Sequence, residues 1–363
     1  MGSQFGHLFR LHTFGESHGV SIGGIIEGCP PGIQLNLDRV QYALNRRRPG
    51  RSDLSSPRNE NDEVEWLSGI VDNQSLGSPI GFRIRNKDAD PSAYRPFKDS
   101  YRPSHADFTT EAKYGIRDWR GGGRASARET ACRVVGGEIA LQVLQSLAPI
   151  EIIAWVQSVA DITSNIDSDT ISHQAVLESE IQCPDPLASQ LMIDKIKAAK
   201  RDKDTVGGVI SAVCRGVPPG WGDPVFDKLE ANLAKAMMSI PAAKGFEIGS
   251  GFSGTLMKGS EHNDRFVPGN PYPTTQTNYS GGIQGGISNG MPIRFNVAFK
   301  PVSTIFKSQN TVNRFNEAEV LTPRGRHDPC VLPRATVIVE SMAALCLCDH
   351  MLRQRAIAGI SQP

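Results

Sequence analysis

The sequence predicts an α+β fold made by internal duplication, with two related sheets, helices outside them and one shared core. Three paired observations predict it. A glycine-rich apolar run ending in Gly-x-Pro-Pro-Gly occurs twice, at 20–32 and 206–220. A proline-initiated run of alternating apolar residues follows each, at 76–85 and 289–300. Each half then closes on a long apolar helical pattern, at 127–147 and 335–358.

The elements follow in order. The first glycine-rich run feeds a helix over 37–47, and the second feeds one from about Pro224 to Met238. Asp223 can cap that second helix, and Pro224 stands where a missing N–H costs nothing. The alternating runs have the period of a half-buried strand. In the closing helices Val, Ala and Leu recur at three- and four-residue spacings, giving each an apolar face about 30 Å long. Between the halves, 150–159 reads as a strand and 187–200 as a polar helix. The whole is one domain, 1–363, with pseudo-repeats over about 6–147 and 206–358.

Composition excludes several classes of function. The 363 residues carry 39 Lys and Arg against 38 Asp and Glu, a net charge of +1. That balance gives no steering toward nucleic acid or an anionic membrane, and no aromatic-basic interleaving is present. At 39% hydrophobic and 21% charged the chain is globular. Seven cysteines, an odd number without paired spacing, read as buried thiols in a reducing, cytoplasmic setting. The first ten residues lack a basic-then-apolar leader, and no apolar stretch approaches 18 residues, so no signal peptide or membrane span is expected.

The chemistry lies in basic and histidine clusters. Arg46-Arg47-Arg48-Pro49-Gly50-Arg51 ends the first helix, where cations complement the dipole; the same run suits bidentate binding of carboxylate or phosphate. Both readings are open from this run alone. Gly121-Gly122-Gly123-Arg124-Ala125-Ser126-Ala127-Arg128 lets backbone approach a ligand just before a helix start, a phosphate or flavin-edge site. Its spacing matches neither a dinucleotide fingerprint nor a phosphate loop. His18, between glycines at a strand mouth, is a candidate proton donor. His105 has Asp107 two residues on, and His327 adjoins Asp328. None has zinc-ligand spacing, and no metal site is expected. His173, His262 and His350 read as ordinary surface or edge histidines. Residues 15–19 run Gly-Glu-Ser-His-Gly and do not match the Gly-x-Ser-x-Gly nucleophile turn. Read from the residues, this is a site for a multiply anionic small molecule beside histidines that transfer protons.

These residues resemble the chorismate synthase family. The matching pieces are FGESHG (14–19), RRRPG (46–50), HAD (105–107), RGGGRASARE (120–129), KPVSTI (300–305) and GRHDPC (325–330). They occur in the family's order and span nearly the whole chain, about 6–355. The resemblance implies a β-α-β sandwich with internal pseudosymmetry, assembled as a homotetramer. It implies a lyase converting 5-enolpyruvylshikimate 3-phosphate to chorismate and phosphate by 1,4-anti elimination, dependent on reduced FMN without net redox change. Some members reduce their flavin with NADPH; the lack of an extra domain here favours reduction from outside.

By motif, His18 resembles the acid that protonates departing phosphate, and His105 the histidine beside the reduced flavin. Asp328 resembles the aspartate that assists proton removal. The resemblance assigns cofactor contacts to Arg124, Ala125, Ser126, Pro241, Ala242, Gly285, Lys300, Pro301, Val302, Ser303, Thr304 and Arg326. It assigns substrate contacts to Arg47, Arg48, Ser126, Arg128 and Arg326. Three departures stand out: Asp53 where members carry arginine, Ala125 in the Arg-x-Ser motif, and Pro241 where asparagine is common. The competing expectation is a flavin- or NADPH-dependent oxidoreductase using the same arginine pocket.

Overall fold

Two five-stranded antiparallel sheets face each other across a double layer of helices. The computed structural model describes residues 2–50, 54, 61–87, 92–323 and 328–358. Arg51, Asp53, Arg326 and His327 lie outside the described residues, and the expectations for them with them.

The first half runs β1 (Gln4–Phe5), β2 (Arg10–Phe14), β3 (Ser21–Glu27), α1 (Leu37–Arg47), β4 (Val64–Trp66), a small hairpin of β5 (Ile70–Val71) and β6 (Gln74–Ser75), then β7 (Ile80–Arg85), α2 (Asp107–Tyr114) and α3 (Thr130–Gln145). Its sheet has the order β1-β2-β3-β7-β4. The second half runs β8 (Glu151–Val159), β9 (Ile162–Thr163), α4 (His173–Glu178), α5 (Pro186–Arg201), β10 (Gly208–Arg215), α6 (Leu229–Met238), β11 (Ala243–Ile248) and α7 (Gly259–His262). Two small hairpins follow, β12 (Phe266–Val267) with β13 (Thr274–Thr275) and β14 (Ile283–Gln284) with β15 (Ile287–Ser288). The half ends in β16 (Ile293–Phe299), the hairpin β17 (Gln309–Val312) and β18 (Ala318–Leu321), and α8 (Leu332–Ile357). This sheet has the order β11-β16-β10-β8-β9.

α1 starts where the Asn36 side chain accepts from the Arg39 N–H at 3.1 Å, and it buries Val40, Ala43 and Leu44 at helical spacing. β16 alternates buried and half-buried residues along its length, as its sequence period requires. α6 begins at Leu229, later than expected. Asp223 caps nothing: its carboxylate pairs with Arg353 of α8 at 2.7 Å, and its N–H bonds Asp227.

The expectation of helices outside the sheets is overturned for the two long helices, while α4 keeps to it, Val176 packing with Ile153, Trp155 and Val213 of the second sheet. α3 packs on β2 and β3 on one side and on α8 on the other; α8 packs on β8 and β10. The layers therefore run sheet, α3, α8, sheet. The physical reason is that both helices are apolar around nearly their whole circumference, and such a helix must be covered on every side. Their backbones approach closely at Gly137, where an added Cβ would stand 2.5 Å from the Ser341 Cα. α8 is also long and apolar enough to cross a membrane, a stretch the sequence reading did not register. It is the core helix, with 94% of its most apolar window buried in the fold.

Polar groups buried with α8 are satisfied from both halves. Glu340 takes both Arg46 Nη atoms, at 2.6 and 3.1 Å, and the Ala154 N–H at 3.1 Å. Asp349 accepts from the N–H groups of His7, Leu8 and Phe9 at 2.6–3.0 Å. His350 is not a surface histidine: it is buried and bonds Asn232 at 3.0 Å. The half-buried His173 lies 3.3 Å from Arg46. All seven cysteines are buried and unpaired, as expected.

Candidate active site

A cavity of about 340 Å³ opens between the halves, with residues 94–130 on one side and 240–338 on the other. It gathers many of the expected residues: Arg47, His105, Ala125, Ser126, Pro241, Ala242, the 300–304 segment and Asp328 all line it. Tyr94, Arg102 and Arg334 join them. Among the described residues the lining holds four full cations, Arg47, Arg102, Lys300 and Arg334, against the one carboxylate of Asp328. Ile240, Phe299, Val331, Ala335 and Ile338 make its apolar part.

Arg47 arrives at the cavity because α1 ends there, and the side chain is almost wholly buried. Its Nη2 pairs with Asp62 at 2.7 Å, and its Nη1 donates to the Ala127 carbonyl at 3.3 Å. Asp62 also pairs with Arg128, so one carboxylate is gripped by two guanidiniums. Burial alone would raise the Asp62 pKa; Arg47 and Arg128 outweigh it and hold it low. Arg47 itself is brought down to about 10, first by burial, with Asp62 opposing and Arg334 and Arg128 adding to the fall. Its Nε is buried with no acceptor among the described residues. A buried N–H left without a partner costs about 1–3 kcal/mol.

Arg334 sits in the first turn of α8, against the positive end of the dipole. Two bonds hold it there: Nε donates to the Arg47 carbonyl at 2.8 Å, and the guanidinium pairs with Asp328. Lys300 crosses between the halves, its Nζ donating to the Ser104 carbonyl at 3.0 Å. Burial, with Lys244 adding, lowers the Lys300 pKa. The Lys300 N–H bonds the Ala242 carbonyl at 3.0 Å, and Ala242 has a φ of 69°, which turns the chain toward the cavity.

His105 is fixed by Asp107, Nδ1 to Oδ1 at 3.0 Å, leaving Nε2 for a ligand. Ser126 does double service: it lines the cavity, and its Oγ accepts from the Arg128 N–H at 3.3 Å, fixing the turn before α3.

Other expected residues are not brought into this cavity. His18 stands behind Tyr94, edge to face at 5.0 Å, with Nδ1 3.0 Å from Ser17 Oγ. Gly121 presses on it; an added Cβ would lie 2.4 Å from His18 Nδ1. Arg124 turns to β2, donating to the carbonyls of Gly15 and Thr13 at 3.1 Å, and so latches the glycine loop to the sheet. Arg128 is spent on Asp62 and on Asn86 at 2.9 Å. Arg48 lines a separate cavity with Arg46 and Glu178. Gly285 is exposed in the turn between β14 and β15, away from the cavity lining.

The sequence reading missed Tyr94, Asp62 and Arg334 and gave Arg102 no role. Only Arg334 carried a local signal, a cation opposing the dipole in a helix's first turn. The others are identified by long-range convergence.

Comparison with known proteins agrees with the motifs. The chorismate synthase family model matches residues 9–352. The chain is 54% identical to the chorismate synthase of Prochlorococcus marinus (strain MIT 9211) over 363 residues, all of both chains. It is 55% identical to that of Gloeothece citriformis (strain PCC 7424), covering 97% of this chain and 98% of the other. A solved structure titled Crystal Structure of Chorismate Synthase superposes with a TM-score of 0.76 at 30% identity, over 96% of this chain and 93% of that one.

Proposed function

The chain belongs to the chorismate synthase family, and from that premise we propose how its cavity is used. The protein is a lyase converting 5-enolpyruvylshikimate 3-phosphate to chorismate and phosphate by an FMN-dependent 1,4-anti elimination. One observation carries the proposal for this site: among the described residues four cations line the cavity, one of them, Arg47, with a buried Nε that has no acceptor there. A substrate with two carboxylates and a phosphate supplies acceptors of that kind.

The residues present fit reduced FMN. Ala125, Ser126, Pro241, Ala242 and the 300–304 segment would hold it, with Phe299 and Ile338 offering apolar surface for a ring system. Bound FMN supplies transient electron density to the elimination. Arg47, Arg102 and Arg334 orient the substrate's anionic groups and stabilise charge as phosphate departs. His105 holds or moves a proton at Nε2, and Asp328, positioned by Arg334, takes part in proton removal. His18 protonates departing phosphate, which requires the phosphate to leave past Tyr94.

Arg48 and Arg128 support the substrate wall through the α1 terminus and Asp62. Arg124 serves the cofactor loop as its latch on β2. Arg326 remains a proposed contact, and so does Gly285, which in this chain alone does not reach the cavity.

We read the halves as an internal duplication, 6–147 and 206–358, with β8 (Glu151–Val159), which precedes the second repeat in sequence, joining its sheet. The succession β2, β3, α1, β4, β7, α3 has the same spatial strand order as β8, β10, α6, β11, β16, α8. A homotetramer is supported by exposed Phe226, Phe252, Leu256 and Phe266. A cytoplasmic enzyme accords with seven unpaired thiols. Reduction of the flavin from outside is proposed; NADPH oxidation by the chain with FMN would overturn it.

The test is anaerobic, with protein, photoreduced FMN and 5-enolpyruvylshikimate 3-phosphate, following chorismate absorbance and phosphate together. Equimolar products over many turnovers with no net flavin oxidation support the proposal. Flavin oxidised in proportion to product overturns it and moves the protein to the oxidoreductase reading.

A further inference from the structure

We propose that Asp107, clamped by Arg102, is the positioning residue that holds His105 in the Nδ1–H tautomer and presents Nε2 to the ligand. The inference rests on the cavity being the active site. Asp107 is buried and has every acceptor position engaged. Its Oδ2 takes the Arg102 N–H at 3.0 Å and Nε at 2.8 Å; its Oδ1 takes Arg102 Nη2 at 2.7 Å, Arg117 Nη1 at 3.4 Å and His105 Nδ1 at 3.0 Å.

An ionised carboxylate accepts and cannot donate. Burial would push the Asp107 carboxyl up, but its bonds to Arg102 and His105 outweigh burial and hold it well below the usual range. Asp107 therefore stays charged, and the hydrogen between it and His105 belongs to Nδ1. In neutral His105 the Nε2 lone pair is then open to accept from a ligand; in the cation Nε2–H donates. A proton gained or lost at this site moves through Nε2 while Asp107 keeps its charge, which is how an oriented imidazole works as acid and base.

The surrounding chain is built to keep this arrangement. The His105 N–H bonds the Arg102 carbonyl at 3.1 Å. Ser104 occupies the left-handed region at a φ of 57°, where a serine is uncommon, and Lys300 from the other half grips its carbonyl. Arg102 Nη2 also donates to the Gly121 carbonyl at 3.0 Å, joining the histidine loop to the glycine loop that presses on His18. The charged groups around His105 are Asp107, Arg102 and Arg117 nearby in the chain, Lys300, Arg47, Arg334 and Asp328 lining the same cavity, and Glu16, Asp118, Arg120 and Arg124 lining a neighbouring one that His105 also borders.

The test reads the tautomer directly. Nitrogen-15 imidazole spectra of the full-length apo protein are recorded across pH, with the His105 signal assigned by its loss in His105→Gln. The expected neutral form has Nδ1 protonated and Nε2 bare; a protonated Nε2 in the neutral form overturns the proposal. Asp107→Asn keeps the volume and removes the anion. It is expected to lose the Nδ1–H preference and to lower turnover about 100-fold, with an altered pH profile. A folded Asp107→Asn protein with unchanged tautomer and pH profile overturns it too. The wild-type spectrum decides the question even if the variant does not fold. Because it uses no substrate and no flavin, failure of the lyase assignment would leave this measurement standing.

Discussion

Arg334 donates its Nε to the backbone carbonyl of Arg47 at 2.8 Å, so two guanidiniums share one wall of the cavity. Their repulsion is part of why Arg47 sits near 10. A bound carboxylate or phosphate relieves it. Arg334→Gln should raise KM for the substrate about 10- to 100-fold, the loss of a charge-assisted bond. An unchanged KM in steady-state kinetics would remove Arg334 from substrate binding.

Gly121 tests the role of His18. Gly121→Ala must displace His18 Nδ1 and Ser17 Oγ, which lie 2.4 and 2.9 Å from the added carbon. Turnover should fall about 100-fold with flavin affinity nearly unchanged, as for His18→Ala. Flavin titration and turnover, run on the same samples, check it. Lost flavin affinity at normal turnover would contradict the proton-donor role.

Glu340 and Arg46 form an ion pair in the middle of the core. Burial would raise the glutamate; Arg46 and His173 prevail and hold it at about 2, below the ordinary 4.5. Because the folded pKa is depressed, the stabilisation is fully present above pH 4.5 and lost as pH falls through 2. Glu340→Ala leaves Arg46 buried without its partner and should cost about 3–5 kcal/mol in urea unfolding. A loss below 1 kcal/mol, roughly the value of an exposed pair, would show that water reaches the site.

His350 gives a dependence of the same sign at higher pH. Burial first, then Arg353, takes its pKa from 6.5 to about 4. Between those values the unfolded chain binds a proton that the folded one refuses, so stability falls as pH drops from 6.5 to 4. The loss amounts to roughly 3 kcal/mol and levels off below pH 4. His350→Gln should flatten that part of the stability profile. A wild-type profile already flat between pH 6.5 and 4 would contradict the buried neutral histidine.

The thiols should be silent in the folded protein. Burial pushes Cys214 and Cys330 up to about 12 and Cys29 to about 11. Native protein titrated with a thiol reagent near neutral pH should react slowly, and all seven groups should react once it is unfolded. Rapid modification of a native thiol would show that an inner layer opens readily.

Local signals carried α1, β16 and the polar helix α5, because caps and periodicity are written within ten or so residues. Layer order was not legible in the same way. Valines and leucines at helical spacing in α3 and α8 invite the reading of one apolar face; only the scarcity of polar residues on the other face says that both helices lie inside. Similarly, Arg46, Arg47 and Arg48 are neighbours in sequence yet face a core carboxylate, the cavity and a separate pocket. A helix turns about 100° per residue, so a run of like residues near its end is a fan of different jobs. Motif order picked out segments that the fold brings to the lining of one cavity. The carboxylates that aim the arginines, Asp62 above all, are visible only once the chain has folded.

Lys300 gripping the Ser104 carbonyl makes the cavity a seam, and the seam is lined with like charges. An occupant that supplies negative charge therefore acts as a rivet: it adds bonds between two walls already joined by Lys300 on the Ser104 carbonyl and Arg334 on the Arg47 carbonyl. Occupancy and rigidity must rise together, and each should report on the other. Inorganic phosphate alone, which turns over nothing, should then slow proteolysis of the joint between the halves.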